Sequence, residues 1–164
     1  MLIKRLKLYT QLMRLERPVG IFLLLWPTLW ALWIANQGIP PLPLLFLFIA
    51  GVIIMRSAGC IINDFADRNL DPYVTRTHQR PLAAKKITIQ EALILFALLI
   101  TLALIIVLHL NWQTILLACI GLISTILYPF LKRITYLPQV SLGFLFAWGI
   151  PMAFTASMTP IGMP

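Results

Sequence analysis

Acidic residues are scarce in this chain: five aspartates and glutamates stand among 164 residues, and all charged side chains together make up 11%. Soluble domains carry about a quarter of their residues as charges. With 60% hydrophobic residues and a mean hydropathy of +0.92, the chain has more apolar surface than a fold of this size can enclose, which excludes the soluble class and makes it an integral membrane protein. Cysteine is nearly absent as well. Cys60 and Cys119 both lie inside apolar runs, so a disulfide framework is excluded and both read as small packing residues. The shortage of acid leaves a formal charge of +8. The basic residues nevertheless sit in short loops between apolar blocks and form no stripe interleaved with aromatics, which excludes nucleic acid as a partner. The first fifteen residues lack the extended apolar core and small-residue cleavage site of a signal peptide.

What is present is a set of apolar blocks of spanning length. The fold class is all-α, a polytopic transmembrane bundle with spans expected at 19–35, 42–62, 88–108, 112–128 and 138–156. At about 1.5 Å per residue these lengths match a hydrocarbon core of about 30 Å. Residues 2–15 place Leu2, Ile3, Leu6, Tyr9, Leu12 and Met13 on one side of a helix, with Lys4, Lys7, Gln11 and Arg14 on the other. Residues 1–17 are therefore expected to lie in the membrane interface, held by apolar insertion and anionic lipid. Trp26, Trp30 and Trp33 recur at helical spacing in the first span, and Trp33 reads as an interface anchor. Pro27 is expected to bend that span. Glu91 falls at the start of the third span, where the helix dipole favours an anion. Gly143, Gly149 and Pro151 lie inside the fifth, where small residues allow close contact and proline loosens the helix. Five basic residues precede the first span, five follow the second and two follow the fourth, while none follow the first, third or fifth. The positive-inside bias then places the N-terminus and the loop after the second span in the cytoplasm.

The second span ends in Asn63-Asp64-Phe65-Ala66-Asp67-Arg68-Asn69-Leu70-Asp71, which holds three of the five acidic residues. If the helix runs on through this stretch, Asn63, Asp64, Asp67 and Asp71 fall within an arc of about 100°. They then form one wet, negative face, with Arg56 pointing the same way a turn or two deeper and Gly59 and Cys60 leaving room beside it. Carboxylates this close raise one another's pKa unless a cation joins them. A hard, all-oxygen set suits Mg2+ shared with phosphate better than zinc. The plainer alternative is a solvated helix end with capping Asn and Asp. The topology brings Arg76-Thr77-His78-Gln79-Arg80 and Lys132-Arg133 to the same side. Arg76 and Arg80, four apart, face one way if that piece is helical. Metal-bound carboxylates beside such donors are what a diphosphate needs. The alternative for these basic residues is that they only enforce topology. A substrate anionic at one end and long and apolar at the other fits a cavity under this site, with ionisation of a carbon–oxygen bond as its chemistry. The rival of a different class is a small membrane transport protein.

The spacing Asn63-Asp64-x-x-Asp67-x-x-x-Asp71 resembles the first aspartate-rich motif of the UbiA family of intramembrane aromatic prenyltransferases. Further resemblance, to the subgroup acting on 4-hydroxybenzoate in ubiquinone biosynthesis, lies in Arg17-Pro18-Val19-Gly20, the run Leu24 to Ala31, Met55-Arg56-Ser57-Ala58-Gly59-Cys60, Arg80-Pro81-Leu82 and Tyr128-Pro129-Phe130-Leu131-Lys132-Arg133. The resemblance implies a nine-helix bundle around a central cavity, of which this chain holds the first part, in a bacterial inner membrane. It implies that Asn63, Asp64, Asp67 and Asp71 hold Mg2+ and the diphosphate of a polyprenyl diphosphate donor, with Asp64, Asp67 and Asp71 catalytic. Arg76, Arg80 and Lys132 help bind the donor, and Arg56 meets the carboxylate of 4-hydroxybenzoate or balances the aspartates. The ring carbon ortho to the hydroxyl is then prenylated and pyrophosphate leaves. Members of the family carry a second aspartate-rich motif, whereas no aspartate follows Asp71 here. The expectation is therefore a fragment of a normal enzyme, with 158–164 as a truncated tail, or an inactive chain that lacks half of its metal site; self-association is the further partner expected.

Overall fold

The computed structural model describes residues 2–158, the side chain of Leu2 excepted, and among these residues every regular element is helical. Beyond Met158 the expected tail lies outside the described residues. Helix α1 covers Leu2–Leu12, α2 Val19–Ala35, α3 Leu42–Asp67, α4 Ile89–Val107, α5 Trp112–Leu131, α6 Pro138–Ala147 and α7 Gly149–Ser157, with a 3-10 turn at Asp71–Tyr73. The sequence punctuates these helices in recognisable ways. Prolines stand at or just inside the starts of α2, α3 and α6, where a missing N–H costs nothing. Thr88 and Glu91 form a capping box: the Thr88 hydroxyl accepts from the Glu91 N–H, and the Glu91 carboxylate accepts from the Thr88 N–H at 2.8 Å. Asn111 caps α5 by accepting from the Thr114 N–H at 2.9 Å.

Four apolar segments are long enough to cross a membrane: α3, α4, α5 and the α6–α7 pair spanning Pro138–Ser157. The fifth, α2, has 17 residues and a length of about 25 Å. The protein is a multi-pass membrane protein, and its outward faces are apolar, with Trp26, Trp30, Ile94, Leu98, Ile105 and Ile123 all exposed.

Two boundaries differ from the sequence expectation. The helix that ends the second span does not run on through Asp71. It stops at Asp67, and a separate 3-10 turn starts at Asp71, since Pro72 has no N–H with which to continue the α-helical ladder. The chain closes instead through the Leu70 N–H bonding the Asp67 carbonyl at 2.8 Å. The fifth span is broken at Trp148, where Pro151 deprives the Ala147 carbonyl of its helical partner.

Helix α3 is the hub, packed on α1, α2, α4, α5 and α7. One buried cluster, around Leu12, Ala58, Ile61, Leu82, Ile87 and Ala92, ties α1 and α4 to its C-terminal half. A second, around Ala31, Leu32, Leu44, Phe48, Ala153 and Ala156, ties α2 and α7 to its start. Helix α1 contributes Leu8, Tyr9 and Leu12 to the first cluster and Met13 follows just past its end, whereas Ile3 and Leu6 are exposed. Arg5 and Tyr9 also reach the Glu91 carboxylate, at 2.8 and 3.3 Å, so half of the amphipathic helix rests on protein.

The contact between α2 and α7 depends on Gly149, since a Cβ there would overlap Thr28, whose own Cβ would lie 3.1 Å away. Thr28 is 1% exposed and has nowhere to move. Gly149→Val is expected to cost about 2 kcal/mol by overpacking, read as a lower thermal midpoint in detergent, while Gly143→Ala, with open space beside it, leaves the midpoint unchanged.

Candidate active site

The cavity-facing side of α3 follows helical spacing, with Phe48, Val52, Met55, Arg56, Gly59, Cys60, Asn63 and Asp67 in succession. Together with α4, α5, α6 and α7 this face encloses a cavity of about 960 Å³. Its walls are apolar along most of their length, formed by Leu104, Leu122, Leu142, Trp148 and Met152 among others. Charged groups gather at the end where α3 terminates.

There the loop from Arg68 to Ile87 folds back over the end of α3. Thr77, 5% exposed, donates its hydroxyl to the Asp71 carbonyl at 3.1 Å and so fixes the turn. The 74–80 stretch is a series of turns and not the helix that would place Arg76 and Arg80 on one side. Both nevertheless line the cavity. Arg80 Nη1 lies 2.8 Å from Asp71 Oδ2 and 3.1 Å from Asp64 Oδ1. Arg76 is exposed at the cavity mouth and pairs with no carboxylate among the described residues. From the end of α5, the Lys132 ammonium donates to Asp67 Oδ2 at 2.5 Å and Asn63 Oδ1 at 2.7 Å. Arg133 donates to the Ala66 carbonyl at 2.7 Å and Asp67 Oδ1 at 3.1 Å. Asn63 completes this group by donating to Asp67 Oδ2 at 3.3 Å.

Asp64 departs from the single wet face expected of the cluster. It is 2% exposed and stands behind the cavity wall, its Oδ1 taken by Arg80 and, at 2.5 Å, by Arg14 Nη2. Arg14 was expected on the wet side of the N-terminal helix. It instead stands two residues past the end of α1 with φ at +57°, a left-handed geometry that costs a side-chain-bearing residue about 1 to 2 kcal/mol and turns the guanidinium inward. Burial works against the charge of Arg14, but the neighbouring acidic groups, Asp64 foremost and Asp71 among them, together outweigh it and hold the group more firmly protonated than in water. Nothing in the local sequence signals this turn, because glycine is the usual residue there. Arg133 was legible as the neighbour of Lys132, though its bond to Asp67 was not.

Arg56 lies deeper, with its guanidinium 5.6 Å from the Phe146 ring centroid. It packs against Gly20, where an added Cβ would meet Nη2 at 2.5 Å. It forms no ion pair with any described carboxylate, and it lines the cavity. Counting Arg14, Arg56, Arg76, Arg80, Lys132 and Arg133, six cations stand against the three carboxylates Asp64, Asp67 and Asp71, a formal excess of +3. Asn63 Oδ1 and Asp67 Oδ2 already converge on one cationic centre, the Lys132 ammonium. These hard oxygens fit Mg2+, which needs only one or two carboxylates when water and phosphate complete its shell. Among the described residues no three His, Cys, Asp or Glu side chains gather closely enough to cage a metal by themselves.

Fold and site together define a polytopic membrane protein with a charged site closing one end of an apolar intramembrane cavity. The profile of the UbiA prenyltransferase family matches residues 24–163, and the chain belongs to that family. A 4-hydroxybenzoate octaprenyltransferase of Ectopseudomonas mendocina is 58% identical over 148 residues, covering 90% of this chain and 50% of the relative. The chain thus spans about half the length of the curated relatives it matches. Among solved structures, one from work on digeranylgeranylglyceryl phosphate synthase superposes with a TM-score of 0.78 at 22% identity, covering 92% of this chain and 52% of the other. A UbiA homologue from Archaeoglobus fulgidus, bound to GPP and Mg2+, superposes at 0.71 with 20% identity, over 96% and 55%.

Asp64→Asn removes the shared partner of Arg14 and Arg80. It is expected to destabilise the chain by about 2 kcal/mol, between the value of an exposed pair and that of a fully buried one, measured by thermal unfolding in detergent.

Proposed function

We propose that this chain forms the donor-binding half of an aromatic prenyltransferase that moves a polyprenyl group from its diphosphate to the ring carbon of 4-hydroxybenzoate ortho to the hydroxyl, releasing pyrophosphate. The observation that carries this reading is the excess of three positive charges at the end of an apolar cavity. It complements a ligand with a multiply charged anionic head and a long hydrocarbon tail, and it repels the cations a transport pathway would have to pass. The names and bound ligands of the relatives support the same reading.

In this assignment Arg76, Arg80, Lys132 and Arg133 bind the diphosphate oxygens, with arginine offering forked contacts. Asn63, Asp67 and Asp71 would hold Mg2+ beside them, and the ion would supply positive charge that stabilises the departing diphosphate. Because Lys132, Arg133 and Arg80 already neutralise these carboxylates, the three residues would hold a divalent ion tightly only with the anion also bound. Arg56, unpaired and flanked by the Phe146 ring, receives the carboxylate of 4-hydroxybenzoate. The apolar walls hold the prenyl tail and exclude water from the reacting carbon. The loop charges support a cytoplasmic side for this site, and the bacterial relatives support a bacterial inner membrane.

The test is transfer from a polyprenyl diphosphate to labelled 4-hydroxybenzoate, in membranes carrying this chain with the remaining half of the Ectopseudomonas relative and no other prenyltransferase. Mg2+-dependent product that falls about a thousandfold in Asp67→Asn is the expected result. Absence of product, when the full-length relative is active in the same membranes, would contradict the reading. Arg56→Ala is expected to raise the KM for 4-hydroxybenzoate by ten- to a hundredfold, the loss of a charge-assisted contact, while leaving the KM for the donor unchanged.

A further inference from the structure

Helix α1 ends in a Schellman motif: the Leu15 N–H bonds the Thr10 carbonyl at 3.0 Å and the Arg14 N–H bonds the Gln11 carbonyl at 3.1 Å. Glycine makes this turn with least strain, yet arginine occupies it with φ at +57°. Gln37 and Lys85 adopt the same left-handed φ with exposed side chains, and Arg14 is set apart from them by where its side chain goes. Here the side chain runs into the protein and meets Asp64 at 2.5 Å.

Asp64 lies behind the cavity wall and shares one oxygen between Arg14 and Arg80. Arg80 spends only Nη1 on Asp64 and Asp71. Its Nε and Nη2 make no hydrogen bond among the described residues, so they are the donors left for a ligand in the cavity. Without Arg14, the nearly buried Asp64 carboxylate would have Arg80 as its sole counter-charge and would draw that guanidinium into the wall.

We propose that Arg14 is a positioning residue for the diphosphate site, acting through Asp64, which bridges two arginines, to hold Arg80 towards the cavity. The N-terminal helix is thereby part of the site's second layer: its anchoring through Leu12 and through Arg5 and Tyr9 on Glu91 sets where Arg14 stands. The proposal rests on the diphosphate reading above, in which Arg80 touches the donor; Arg14 also borders the cavity, but its Nη2 is committed to Asp64.

The test is a double-mutant cycle on the 164-residue chain in nanodiscs, reading Mg2+-dependent binding of geranyl diphosphate. Arg14→Gly is the informative change, because it relaxes the backbone while deleting the side chain. It is expected to weaken binding about tenfold, the equivalent of one charge-assisted hydrogen bond, and to have no further effect in an Arg80→Ala background. Arg14→Lys, which restores the charge without the fork, is expected to fall between. Unchanged affinity in Arg14→Gly, or an effect that adds fully to that of Arg80→Ala, would overturn the proposal. Loss of folded protein in both Arg14→Gly and Arg14→Lys would overturn it too, by making the residue structural. If Arg80→Ala itself leaves geranyl diphosphate binding unchanged, the diphosphate reading fails and the positioning role falls with it.

Discussion

Three carboxylates crowded at the end of an apolar helix cannot stay ionised together without counter-charges, and the rest of this structure is arranged to deliver them. Asp67 is met from α5 by Lys132 and Arg133, Asp71 from its own loop by Arg80, and Asp64 by Arg14 and Arg80. Each partner arrives from a different segment, so the ion pairs fix the end of α5, the 68–87 loop and the N-terminal helix on the terminus of α3. A buried pair of this kind contributes little net stability after desolvation. Its value lies in fixing geometry, and the same geometry leaves Arg56, Arg76 and the free edge of Arg80 facing the cavity.

Midway along the spans the bundle is held by shape and not by charge. Gly149 lets α7 approach Thr28 of α2, and Gly121 lets the Trp148 indole sit against α5 and donate to the Leu117 carbonyl at 2.8 Å. The break at Trp148 therefore coincides with the closest helix contacts. The irregular backbone that proline forces there lies against protein and not lipid, as a membrane demands. These close contacts form part of the cavity wall, and the paired charges close the end where α3 terminates.

Much of this was legible in the sequence because a membrane makes composition decisive. Apolar block lengths give the spans, and the acidic cluster stands out because acid is so rare elsewhere. The cavity face of α3 follows from helical periodicity through Arg56, Gly59, Asn63 and Asp67. Less legible was anything that depends on a chain reversal. Pro72 ends the helix before Asp71, so the arc drawn through four residues holds only as far as Asp67. Asp64 lies one position off the cavity stripe, and that single step of about 100° turns it into the wall. Arg14 reads as one more cation on a wet helix face until the left-handed turn rotates it inward, and glycine, the usual marker of that turn, is absent.

The central claim is that the carboxylates of this site are already neutralised by protein cations and accept a divalent ion only together with a diphosphate. Mn2+ as a paramagnetic substitute for Mg2+, followed by electron paramagnetic resonance on the purified chain, tests it most directly. The account predicts weak Mn2+ binding alone, a large gain on adding geranyl diphosphate, and loss of that gain in Asp67→Asn. Equally tight Mn2+ binding without the diphosphate, or a gain that survives Asp67→Asn, would contradict it.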